Sequence, residues 1–202
     1  RAEGDNITFV LKTNERTKAV YPYDFEFFVK YAIIDNGYEV CYTIVNRDNR
    51  TIPFACGGHE SFALDKEVCD CYLEFQKDEK LDALVHDNGG FLTGDIKKYG
   101  EGKILQLEKD FTDNSATVIL GGINSRRAVL RDKKTDEKIV EISFEGFDNL
   151  LLWHPHGSKM LCIEPWQCLP SYAGEVKEFK DREGVINLSE GCEVTFTRTI
   201  TY

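Results

Sequence analysis

The sequence predicts an all-β chain, an antiparallel β-sandwich or barrel, and three observations support this. Segments that alternate apolar and polar residues dominate, turn signals fall between most of them, and no segment carries a 3.6-residue apolar stripe over three helical turns. Many strands separated by regular turns point to a sandwich or barrel.

The firmest local pattern is DFEFFVKYAI, with Phe25, Phe27, Val29 and Tyr31 in alternation, followed by Asp35-Asn36-Gly37 and then YEVCYTIVN. Two period-two runs about a short Asn-Gly turn make an antiparallel hairpin. Further strands are expected in NITFVLKT, CYLEFQ, ATVILGG, RAVLRDK, KIVEISFE, NLLLWHP and KMLCIEPW. The closing stretch CEVTFTRTITY sets Val194, Phe196, Arg198 and Ile200 against threonines and a glutamate, as a half-solvated strand does. Turns are expected at Asn88-Gly89-Gly90, at Tyr99–Gly102 and at Lys134-Thr135-Asp136, and the polar span from Lys77 to Gly102 reads as long loops over the sheets. With no repeat, linker or low-complexity tract, residues 1–202 are expected to form a single domain.

The hydrophobic fraction of 42% with 12% aromatics is ample for a packed core and argues against disorder. A formal net charge of −10, with basic residues interleaved among acids, lacks the basic stripe that nucleic acid requires. A neutral partner suits this balance better than a polyanion. No apolar run is long enough to cross a bilayer, no signal-peptide pattern is present, and no membrane partner is expected. The seven cysteines are odd in number and form no Cys-x-x-Cys pairs; Cys41, Cys162 and Cys192 sit in apolar strand-like runs. A reduced, cytoplasmic setting is the simplest account.

Three stretches can carry chemistry. In Gly57-Gly58-His59-Glu60, paired glycines allow positive φ or close approach, so His59 is either a solvent-facing turn residue or an imidazole aimed into a cleft. In CIEPW, Pro165 cannot donate to a sheet ladder, so the strand should end or become an edge at Glu164. That leaves a carboxylate beside Trp166, where apolar neighbours raise its pKa as a general base requires; an ordinary exposed glutamate fits the letters equally. In Trp153-His154-Pro155-His156-Gly157, a His-x-His on one strand face can suit a metal, but the spacing matches no zinc module and a turn fits better. No P-loop, dinucleotide fingerprint or Gly-x-Ser-x-Gly occurs.

Taken together, YPYDFEFFVKYAI, YEVCYTIVNRDNRTIPFACGGHESFAL, LLLWHPHGSKMLCIEPWQCLP and EGVINLSEGCEVTFTRTITY resemble, in order and spacing, the aldose 1-epimerase (galactose mutarotase-like) superfamily. The nearest likeness is to its lactose-operon-associated branch, with Gly-Gly-His-Pro-x-Phe and Cys-Ile-Glu-Pro-Trp motifs. The resemblance implies the large sandwich of that family with a sugar cleft across a concave sheet, His59 as general acid and Glu164 as general base. It implies interconversion of the α and β anomers of a free aldose, with no cofactor and no metal. The competing reading is a carbohydrate-binding sandwich that has lost turnover. Trp153, Trp166 and Phe62 are candidate platforms for the sugar, with core packing as the alternative for Phe62.

Three letters depart from the family pattern: Glu60 stands for a proline, Gln167 for a small residue, and Asn114, at a candidate substrate contact, for an aspartate. The resemblance also implies an N-terminal portion ahead of NITFVLKT, supplying an arginine and a His-Gly-Phe motif to the sugar site. The chain begins at Arg1 without it, so residues 1–202 are expected to be the C-terminal larger part of a longer family chain, with a separate N-terminal segment as a partner.

Overall fold

The computed structural model describes residues 2–112 and 117–202. The first half of the chain contributes β1 (Ala2–Glu3), β2 (Asn6–Lys12), a helical turn (Glu15–Lys18), β3 (Phe25–Ile34), β4 (Gly37–Asn46), β5 (Ile52–Phe54), β6 (Glu60–Ala63), β7 (Cys71–His86) and β8 (Leu92–Gln106). The second half adds β9 (Thr117–Leu120), β10 (Arg127–Asp132), β11 (Lys138–Phe144), β12 (Asn149–Trp153), β13 (Met160–Trp166), β14 (Ile186–Leu188) and β15 (Glu193–Thr201).

Among the described residues thirteen of these strands form one sheet in the order β1-β2-β3-β4-β15-β11-β10-β7-β9-β12-β13-β6, with β8 paired to β7; β5 and β14 make a separate ribbon. The named strands pair antiparallel throughout, starting from the β3–β4 hairpin, where Ile34 faces Gly37 across the Asp35–Asn36 turn.

This sheet doubles back on itself. Val40, Leu130, Ile142 and Ile200, from β4, β10, β11 and β15, share one buried cluster with Phe62, Leu120, Leu152 and Ile163, from β6, β9, β12 and β13. The corner is β7, whose first part pairs with β10 through Cys71–Phe75 and whose later part pairs with β9 through Ala83 and Leu84. Its register against β8 shifts between Glu74 and Glu79, and such irregularities let one strand bend from layer to layer. Buried Glu79 sits at this corner and accepts hydrogen bonds from the backbone N–H groups of Asn124 and Ser125.

One expectation is corrected here. Lys77–Gly102 is not a set of loops but most of a long β7–β8 hairpin turning near Asn88-Gly89-Gly90. The segment is polar because β8, paired only along β7 within the sheet, is largely exposed. Its mate still alternates, burying Leu81 and Ala83. Cys192 differs too: it is exposed in the turn before β15 rather than packed in a strand.

The core face continues beyond the covered region. Val29 packs against the main cluster, but on the same side of β2 and β3 Ile7, Phe9, Leu11, Tyr31 and Ile33 are exposed, Phe9 at 56% and Ile33 at 71%.

Candidate active site

Alternation along β13 sends Leu161 and Ile163 into the core and turns Cys162, Glu164 and Trp166 to the other face. On β12, Leu150 and Leu152 point inward, so Trp153, opposite Cys162, shares the outer face. β6 lies on the far side of β13, with Ser61 facing Cys162 and Glu60 facing Ile163. His59 immediately precedes β6 and reaches Glu164, Nε2 to Oε1, at 3.3 Å. The imidazole is 60% exposed and the carboxylate only 3%, so one partner meets solvent and the other is sunk in the sheet. The Trp153 ring stands edge-on to His59 at 6.1 Å between centroids.

Burial pushes the Glu164 carboxyl up to about 7, against the lowering influence of any charge on His59 and of the nearby Trp166 N–H; the neighbouring Glu60 charge raises it further. A carboxyl so placed exchanges its proton near neutrality, as a general acid–base group needs.

Of the two outcomes expected at Glu164, β13 does not end there: it stays paired with β12 to Trp166, while its ladder with β6 stops at Ile163. Pro165 lies within the strand, opposite Leu150 of β12, and its carbonyl accepts the Gly58 N–H at 2.9 Å. In an antiparallel pair that N–H···O bond is normally returned, which Pro165 cannot do. The indole N–H of Trp166 donates to the Gly58 carbonyl instead, at 3.2 Å. A proline and a tryptophan thus fix the backbone that carries His59.

The glycines serve close approach. A Cβ on Gly57 would lie 2.7 Å from the Trp166 ring, and one on Gly58 would lie 1.2 Å from Nη1 of Arg198. Arg198 is buried, its guanidinium paired with Glu60, hydrogen-bonded to the Tyr42 hydroxyl at 2.6 Å and lying over the Tyr42 ring. The Tyr42 hydroxyl in turn donates to the Gly57 carbonyl at 3.2 Å. Glu60, the unexplained departure, is therefore the inward-facing partner of an arginine arriving from β15. Burial raises the Glu60 carboxyl and the Arg198 charge opposes that rise.

A cleft of about 340 Å³ opens beside the pair, lined by Ala55, Cys56, Gly57, Gly58, His59, Trp166 and Cys168. Burial pushes the Cys56 thiol up to about 12, so it is no nucleophile at neutral pH. Gln167 accepts the Cys56 N–H at 3.0 Å through Oε1 and so ties the end of β13 to the cleft wall. A larger cleft of about 610 Å³ runs along the β7–β8 hairpin and reaches Thr117, the residue facing Trp153, but includes neither His59 nor Glu164.

Of the residues singled out in the sequence, His59, Glu164, Trp153 and Trp166 come together. Phe62 does not: it is buried in the core, because alternation along β6 points it away from Ser61 and the cleft. Asn114 lies outside the described residues. His154 is buried, stacked on Phe111 and bonded through Nδ1 to the Met160 carbonyl, while His156 is exposed in a turn, so the two do not share a metal-binding face. Sequence reasoning missed Arg198 and Tyr42 as supports of the site. The available signal was an arginine on the apolar period of the last strand, beside an unexplained glutamate at 60.

The chain matches the aldose 1-epimerase family model over residues 1–186. It is 26% identical over 190 residues to the plasmid and chromosomal LacX proteins of Lactococcus lactis subsp. lactis, covering 90% of this chain and 63% of theirs. It therefore spans less than two thirds of the length of these curated relatives. A galactose mutarotase-like protein from Lactobacillus casei ATCC 334 superposes with a TM-score of 0.86 at 25% identity, over 99% of this chain and 70% of that one. The galactose 1-epimerase of Lactobacillus acidophilus NCFM shares the fold, with a TM-score of 0.65 at 12% identity over 100% of this chain and 64% of that one. On the extent of the family match, the chain belongs to the aldose 1-epimerase family.

Proposed function

We propose that this chain carries the acid–base couple of an isomerase that interconverts the α and β anomers of a free aldose. The observation behind this is the approach of exposed His59 to buried Glu164, 3.3 Å apart, at the edge of a cleft walled by Trp166 and close to Trp153. Opening a hemiacetal requires one group to take the C1 hydroxyl proton while another protonates the ring oxygen. Glu164 takes the first role and His59 the second. The aldehyde then rotates about the C1–C2 bond, and closure on the other carbonyl face reverses both transfers. Atoms and electrons balance without a redox partner or group carrier.

The two groups touch, whereas a sugar ring must stand between them. Among the described residues Glu164 is the one polar contact of the His59 ring, so the exposed imidazole can swing outward to admit the ring. The flat faces of Trp153 and Trp166 suit the C–H face of an uncharged sugar. The cytoplasm suits the free thiols of the chain.

The test follows optical rotation of freshly dissolved α-aldoses with wild type, His59→Ala and Glu164→Gln. Each substitution is expected to cut the acceleration by about 10²–10⁴-fold, the usual worth of general acid–base catalysis. Equal rates in all three would sink the assignment. Sugar binding without acceleration by wild type would favour the carbohydrate-binding reading.

A further inference from the structure

We propose that His59, Cys162 and Glu164 form a site for a soft divalent cation, with Zn²⁺ the best match, and that its occupation blocks the acid–base couple. Among the described residues these three bring one imidazole nitrogen, one thiol sulfur and one carboxylate oxygen within 4.8 Å of one another. The juxtaposition follows from the strands: Cys162 and Glu164 are two residues apart on β13 and share its outer face, and His59 arrives from the loop across it.

The geometry suits a tetrahedral ion. Bonds of about 2.0–2.1 Å from zinc to nitrogen and oxygen hold those atoms about 3.3 Å apart at the tetrahedral angle. His59 Nε2 and Glu164 Oε1 are already 3.3 Å apart. Cys162 Sγ needs only to close toward them, and it contacts the Ser61 hydroxyl at 3.0 Å, a ready hydrogen-bond donor to a thiolate. As the metal–sulfur bond forms, the Cys162 thiol gives its proton to solvent. One thiolate and one carboxylate then neutralise the divalent charge, while the nearby Glu60 carboxylate is committed to Arg198. Imidazole with thiolate selects zinc or cobalt over magnesium or calcium, and three protein ligands leave a fourth position for water or a hydroxyl group. The cation enters from the side of exposed His59, since Cys162 and Glu164 are both buried.

Binding is independent of the proposed function, and the blocking of turnover rests on it. The probe is Co²⁺ added to the purified chain. Wild type should develop the thiolate-to-cobalt charge-transfer band and the visible bands of a tetrahedral ion, and Zn²⁺ should abolish both by displacement. The charge-transfer band should vanish in Cys162→Ser. His59→Ala and Glu164→Gln should weaken Co²⁺ affinity by at least the roughly 10–100-fold that even an outer-shell change costs. Circular dichroism confirms that each variant is folded, and Cys162→Ala serves where the serine variant is not. No charge-transfer band in wild type, or one that persists in folded Cys162→Ser, overturns the site. In mutarotation assays, the Zn²⁺ concentration that halves each protein's own rate should rise at least about tenfold in Cys162→Ser. A chain with no activity leaves the cobalt experiment decisive.

Discussion

At the residue scale, the buried Glu60–Arg198 pair is the unusual element beneath the site. Two charges are withdrawn from water directly under Gly57 and Gly58, and Nε of Arg198 has no hydrogen-bond partner. Removing one member of such a pair strands the other, which costs about 3–5 kcal/mol, whereas replacing both with apolar groups can be nearly neutral. Arg198→Met and Glu60→Leu are each expected to lower unfolding stability by about that much. Urea titration should show the Arg198→Met/Glu60→Leu double variant losing less than the sum of its single changes. Additive losses would mean that the charges do not act as a pair. The same guanidinium accounts for the glycine at 58: a Cβ there would fall on Nη1 and push the pair aside.

At the element scale, β13 is the organising strand. It feeds Leu161 and Ile163 to the core, presents Glu164 to the cleft, and binds the His59 loop through Pro165 and Trp166. Trp166→Phe keeps most of the ring but removes the donor that satisfies the Gly58 carbonyl, a loss of about 1–3 kcal/mol if the oxygen stays buried and unpaired. The expected outcome in urea unfolding is a lowered midpoint with an unchanged slope. An unaltered midpoint would show that this bond does not hold the loop. β13 was legible in the sequence as KMLCIEPW, but its end was not. A proline usually terminates a ladder, and only the neighbouring strands reveal that the missing donor is replaced by a side chain.

At the scale of the whole molecule, the doubled sheet leaves part of its inner face bare. Ile7, Phe9, Leu11, Tyr31 and Ile33 continue the apolar side of the core onto exposed strands. Contiguous exposed apolar surface near a sheet edge promotes association. Replacing Phe9 and Ile33 by threonine keeps the strand preference and is expected to reduce concentration-dependent self-association in light scattering. Thermal stability should change little, because neither ring nor branch is buried. Unchanged association would show that this face is not the sticky one.

The sequence by itself determined most of the strand pattern, the β3–β4 hairpin, and the motifs that tie the chain to its family. These depend on periods of two and on neighbours in the chain, which are local. It misled over Lys77–Gly102, which reads as loops because an exposed hairpin needs few apolar residues to form. It left Phe62 undecided because a platform and a core residue share the same letter, and only the facing of β6 separates them. Tertiary structure alone decided that β15 passes beneath the Gly57-Gly58 loop. That crossing puts Arg198 against Glu60 and gives both glycines their purpose. Tertiary structure also sets the exposed imidazole of the loop before β6 against the buried carboxylate of β13, two groups that the chain order keeps far apart.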